Sequence, residues 1–199
     1  MNLTHYKLTD LELWINEHYL SGGILSASDM KIKAIADLFD IDIVYYEGPC
    51  VADWDDPDNN VIFIDSRQSF EEQREAFFHE LCHPLRHIGN QEEMTESFIE
   101  FQEIQATQFQ YCASLPIYLL QDYMDASQKF LTKILAGDFM LSEKFVIRRL
   151  EQIKQRIYIS ERDERMKEAR KIKVVLEEGH VERVIAELVR QRKVMEEVR

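Results

Sequence analysis

Glycine and proline are scarce, 6 and 4 in 199 residues, which excludes collagen-like and low-complexity chains. With 45% hydrophobic and 31% charged residues, disorder is excluded too. Cysteine is also sparse. Cys50, Cys82 and Cys112 are odd in number and widely spaced, so no disulfide framework is expected, and reduced thiols point to the cytoplasm. No apolar run approaches the ~20 residues that span a bilayer. The N-terminus lacks the basic stretch followed by an apolar one that marks a secretory signal. Neither membrane insertion nor export is expected.

Positive charge is the other shortage. Lys and Arg number 24 against 37 Asp and Glu, a net charge of -13. Residues 161–199 hold 11 basic and 10 acidic residues, which leaves residues 1–160 with 13 basic and 27 acidic, a net of -14. Such a body repels nucleic-acid phosphates and suits a basic or mixed protein partner. We therefore expect no direct nucleic-acid binding, although Ser142–Tyr158 carries Arg148, Arg149, Lys154 and Arg156. That segment's apolar stripe is the larger signal.

What is present is a succession of amphipathic segments. Leu8, Leu11, Trp14, Ile15 and Tyr19 recur at helical spacing, closed by Ser21-Gly22-Gly23. Ser28 is the expected cap of a second helix bearing Ile32, Ile35, Leu38 and Phe39. The period then changes. Ile41–Tyr46, closed by Gly48-Pro49, and Val61–Ile64 are β-rich and separated by the polar stretch Asp53–Asn60, which predicts an antiparallel hairpin or small sheet. Ser69 and Glu72 form an S-x-x-E capping box opening a helix through Leu81. After a break at Gly89-Asn90, helices are predicted from about Glu93 to Ser114, from Ile117 to Leu135 with Gly137 as stop, and from Ser142 onward. Helices, a small sheet, then helices alone define an α+β class. Beyond Ser160 the chain is highly charged. Gly179 is expected to separate a last helix with Val181, Val184, Leu188, Met195 and Val198 near heptad spacing, suited to covering the body, binding a partner or pairing two copies.

The chemistry is concentrated in His79-Glu80-Leu81-Cys82-His83, an H-E-x-x-H sequence inside a predicted helix. Histidines four apart lie on one face, so both imidazoles can reach one ion. Glu80 is placed to take a proton from the water that the metal activates. A catalytic zinc usually has three protein ligands. The metzincin extension is excluded, because Arg86 and Gly89 stand where it requires Gly and His. On a straight helix His87 would lie ~12 Å along the axis from His79, which suits a supporting or transition-state role better than ligation. Glu96, Glu100 and Glu103, four and three apart on the next helix, are the remaining candidates, and spacing does not choose among them.

The segment Glu103-x-x-Ala106-x-x-Phe109 ending at Pro116, following His79-Glu80-Leu81-Cys82-His83, resembles the ImmA/IrrE metallopeptidase family. The β-run Val61–Asp65 before a capped helix and Phe139–Leu150, with its Ser142 and Arg149-Leu150, match as well, so the resemblance covers roughly residues 30–155. It implies a mostly helical zincin-like domain with a small antiparallel sheet over residues 1–159, leaving 160–199 as a charged helical extension. It implies His79, His83 and Glu103 as ligands of Zn2+, or of Mn2+ or Fe2+, and Glu80 as the catalytic carboxylate. Departures from the family pattern are Cys82 in place of the usual Gly, Gln110 in place of Ala, and Ala113-Ser114-Leu115 before Pro116. Cys82 lies off the histidine face and reads as a buried small residue. The oxyanion-stabilising group is open, with His87 and Tyr111 as candidates. By this resemblance the protein is a zinc endopeptidase that cuts a helix-turn-helix (Xre-type) repressor, an anti-repressor for a mobile element, prophage or stress regulon. The competing reading is a metal-containing module, of anti-repressor or toxin–antitoxin type, that inactivates the repressor by binding alone. Residues 160–199 are expected to serve partner binding or a homodimer.

Overall fold

The computed structural model describes residues 2–54, 60–87, 94–124 and 126–197. The Gly89-Asn90 break, most of the Asp53–Asn60 stretch and the side chains of Met195 and Val198 lie outside the described residues. The chain divides into two compact units, residues 1–154 and 155–199.

In the first unit, α1 (Asp10–Ser21) opens on a capping box, in which Thr9 Oγ1 accepts from Glu12 N and Glu12 Oε2 accepts from Thr9 N. It ends at Gly22, followed by Gly23 at φ +76°, a left-handed conformation that glycine adopts without a Cβ clash. The second helix differs from expectation. Ser26, not Ser28, caps a short 3-10 turn at Ala27–Asp29, and α2 (Ile32–Leu38) begins after Lys31.

The sheet contains β1 (Asp42–Tyr46), β2 (Val51–Asp53) and β3 (Val61–Asp65) in the order β1-β3-β2. It is mixed rather than antiparallel. β2 pairs antiparallel with β3, whereas β1 pairs parallel with it. The extra strand Val51–Asp53 is the cause. It adds a second reversal between the two β-rich runs, so they end up pointing the same way. β3 takes the centre because Ile62 and Ile64 are fully buried, whereas β1 has only exposed and half-buried positions, as an edge strand does.

The remaining elements are helices, α3 (Phe70–Glu80), α4 (Cys82–Arg86), α5 (Glu96–Ser114), α6 (Ile117–Leu120), α7 (Gln128–Phe139) and α8 (Glu143–Glu197), of which α3 packs on β3 and α4 on β2. Phe77, Phe78, Phe109, Leu135, Phe139 and Val146 form the core with Ile15, Ile35, Ile62 and Ile64. The single helix expected over Ile117–Leu135 is broken, with a 3-10 turn at Gln121–Tyr123 and a fresh start at Gln128. Gly137 does not stop α7, which continues to Phe139. There Met140 turns left-handed (φ 53°), and the amides of Met140 and Leu141 donate to the Gly137 and Ala136 carbonyls, satisfying the helix's last acceptors. Ser142 does cap α8, accepting from Phe145 N at 3.2 Å.

The second unit is helical, and the expected break at Gly179 is absent, since α8 runs through it to Glu197. One glycine costs a helix only ~1 kcal/mol relative to alanine, which good neighbouring helix formers outweigh. Val181, Val184, Ile185, Leu188 and Val189 are exposed on this helix. Among the described residues no helix is long and apolar enough to cross a membrane.

Candidate metal centre

The capping box that opens α3 is formed, with Ser69 N donating to Glu72 Oε2 at 2.9 Å and Glu72 N donating to Ser69 Oγ at 3.3 Å. The helix carries His79 and Glu80 in its last turn and stops at Leu81. Pro84 explains the stop, because it has no N–H for the Glu80 carbonyl and its ring crowds that carbonyl. The chain resumes as α4, which carries His83. The H-E-x-x-H sequence thus straddles a helix break, yet the two imidazoles still face each other with ring centroids 5.6 Å apart.

α5 packs against both helices and supplies the third group. Glu103 Oε2 lies 3.0 Å from His79 Nε2, and its Oε1 lies 3.7 Å from His83 Nε2. The three candidate ligand atoms all fall within 4.8 Å of one another. Bonds of ~2.1 Å in tetrahedral geometry put ligand atoms about 3.4 Å apart, so two imidazole nitrogens and one carboxylate oxygen here fit a divalent ion with a small adjustment. Glu96 and Glu100 remain exposed, earlier on α5. His83 is buried, His79 is 23% exposed and Glu103 is 45% exposed at their side chains, so the cluster opens to solvent on the Glu103 side. Burial, foremost, lowers the His83 pKa to about 4, which keeps its imidazole neutral and able to ligate.

Glu80 sits beside the cluster with a half-buried carboxyl whose Oε2 accepts from Ala52 N at 3.0 Å. That amide belongs to β2, so the strand missed in the sequence holds this carboxylate. Burial raises the Glu80 pKa, the Ala52 amide opposes the rise and the charge of Glu103 adds to it, leaving a value of about 7.

His87 is buried behind His83, the two Nδ1 atoms 3.0 Å apart, and hydrogen-bonds in turn to Gln105. If His83 turns Nε2 to an ion, its Nδ1–H donates to His87, which fixes both tautomers. His87 thus supports a ligand, and its replacement by Ala is expected to weaken zinc binding by ~10–100-fold. Competition against a chromophoric chelator measures this, and an unchanged affinity would remove His87 from that role. Cys82 is buried, with Sγ 3.9 Å from His87 Nε2. Burial pushes its thiol up to about 12, so the group is inert. Tyr111 is not brought to the cluster. It is buried against Phe145, ring centroids 4.5 Å apart, eight residues and ~12 Å along α5 from Glu103.

Sequence reasoning missed Trp54. Its ring stacks on His83, centroids 5.0 Å apart and planes 14° from parallel, and its buried indole Nε1 has no acceptor among the described residues. A lone aromatic in an acidic connection gives no periodic signal that would have found it.

An arrangement of this kind, with two histidines, a carboxylate from a crossing helix and a half-buried carboxyl beside them, defines a class that sequence comparison narrows. Residues 36–151 match the IrrE N-terminal-like domain, a metal-dependent peptidase family, and the chain belongs to it. It is 34% identical over 153 residues to the phage-like element PBSX protein XkdA of Bacillus subtilis (strain 168), covering 75% of each chain. It is 27% identical over 146 residues to the uncharacterized protein YqaB of the same organism, covering 73% of this chain and 84% of that one.

Proposed function

We propose that the protein is a zinc-dependent endopeptidase of the cytoplasm that makes one cut in a helix-turn-helix (Xre-type) repressor and so induces a mobile element, prophage or stress regulon. The observation that carries the reading is the convergence of His79, His83 and Glu103 on one point with the half-buried Glu80 carboxyl beside it. Similarity to a protein of a phage-like element supports the prophage setting, and the acid-rich body suits a substrate with the basic surface of a DNA-binding protein.

When bound, zinc (or manganese or iron, which such a donor set also accepts) supplies a Lewis acid that polarises the scissile carbonyl and makes water nucleophilic near neutral pH. The chain's own groups do the rest. Glu80 takes the proton from the attacking water and returns it to the leaving amine. Ala52 N–H fixes the direction of that carboxylate. Trp54 and His87 hold the His83 ring from its face and from Nδ1. Residues 160–199 are read as the element that recruits a partner or pairs two copies, on the strength of the exposed Val181, Val184, Ile185, Leu188 and Val189.

The test is incubation of the zinc-loaded chain with the repressor encoded beside its gene, in parallel with Glu80→Gln. A single pair of fragments from the wild type and none from the variant is expected. If neither protein cuts while both release the repressor from its operator, inactivation by binding alone replaces the proteolytic reading.

A further inference from the structure

The outer face of α5 is apolar where a solvent-facing helix is ordinarily polar. Phe98, Phe101 and Ile104 are 47%, 52% and 57% exposed, and their spacing of three sets them along one side of the helix. The stripe runs into a cavity of about 240 Å³ walled by Leu11, Arg86, Ile104, Gln105, Gln108 and Phe109. Ile104 belongs to both. Glu96, Glu100 and Glu103 line the adjoining side of the same helix, so the patch borders the metal cluster through Glu103.

We propose that this face docks a basic amphipathic helix of the protein substrate, with one large apolar side chain seated in the cavity and Lys or Arg residues against Glu96 and Glu100. The proposal rests on the proteolytic reading and says how that site selects what it cuts. A contiguous exposed apolar patch marks an interaction surface. Its sign is set by the two flanking carboxylates and by a body of net charge -14, which attract a basic partner and repel an acidic one. Its length fits a helix, because Phe98 to Phe109 spans ~16 Å, three turns, the reach of an i, i+3/i+4, i+7 set of anchors. The cavity is smaller than the ~300–1,000 Å³ of small-molecule sites and suits a single side chain. Gln105 in its wall hydrogen-bonds to His87, which contacts His83. Docking therefore touches the groups that orient a candidate ligand.

The test uses the full chain and two synthetic helical peptides of about 14 residues, about four turns, one with a leucine stripe among Lys and Arg, the other with the same stripe among Glu. Fluorescence anisotropy should show binding of the basic peptide alone, weakened at least ~10-fold by the double substitution Phe101→Ser/Ile104→Ser and by Glu96→Lys/Glu100→Lys. The same variants should cut the repressor less well but cleave a short peptide spanning its scissile bond at the wild-type rate, with unchanged zinc content. Equal binding of both peptides, or no loss in the double variant, overturns the proposal. A dimer that dissociates in the double variant also overturns it, because the face would then belong to a second copy. Undiminished repressor cleavage by that variant sinks the docking face and spares the proteolytic reading. Binding of the basic helix with no cleavage of the repressor does the reverse.

Discussion

Replacing Glu103 with Ala is expected to strip the chain of zinc, with an affinity loss of at least ~100-fold. His79 and His83 come from two short helices joined at Leu81, whereas Glu103 comes from α5 and, among the described residues, is the one carboxylate oxygen donor within the cluster. Structural zinc sites bind with ~10–16 kcal/mol shared over four ligands, so losing one ligand costs about 3 kcal/mol or more. Without the carboxylate, the Nε2 atoms of His79 and His83 also lose the partner that stands 3.0 and 3.7 Å away. Glu100→Ala, one turn earlier on the same helix, is the control and should retain wild-type affinity. Metal content after desalting and competition with a chelator read both. Full zinc occupancy in Glu103→Ala would mean that another donor completes the site.

The difference between Glu100 and Glu103 also shows where sequence reasoning stopped. All three candidate glutamates share a face at helical spacing, and selecting one requires the rotation and height at which α5 crosses α3 and α4, which is set by Ala106 and Phe109 packing against the core. The resemblance to ImmA/IrrE proteins selected Glu103, and the structure places that carboxylate on the histidines. Local signals were readable because their physics is local: the Ser69–Glu72 box and the Ser142 cap are hydrogen bonds between residues three apart. The sheet was misread because β2 is three residues long and too short for a periodic pattern, although its Ala52 amide holds Glu80. Trp54 was invisible for a related reason, since stacking on His83 is a contact between residues far apart in sequence. Arg149, counted among the basic residues of a potential DNA-binding segment, is buried in an ion pair and offers no charge to solvent.

That ion pair carries the largest expected effect on stability. Arg149 Nη2 donates to Glu12 Oε1 at 2.7 Å, and both side chains are almost fully buried. The same oxygen accepts from Tyr6 Oη at 2.5 Å, while Oε2 accepts from Thr9 N at 2.9 Å. One carboxylate thus closes the cap of α1, holds the N-terminal segment and anchors the start of α8. Arg149→Met should cost ~3–5 kcal/mol, because it leaves a buried carboxylate without its cation, and should lower Tm by roughly 10 °C in a chain of this size. Glu12→Leu/Arg149→Met should lose much less than the single substitution, since an apolar pair removes the uncompensated charge. Acid titration separates the two cases. Burial raises the Glu12 pKa, but Tyr6, the Arg149 charge and Thr9 together outweigh it and hold the carboxyl below its ordinary value of 4.5. The stability that this pair contributes is therefore fully present above that value and is lost as pH falls through the lower native one. Wild type should lose stability more steeply than the double variant below the ordinary carboxylate range. Parallel acid limbs in thermal melts of the two proteins would show that the buried pair does not govern the acid response, and an Arg149→Met variant as stable as wild type would show that the pair does not hold α1 to α8.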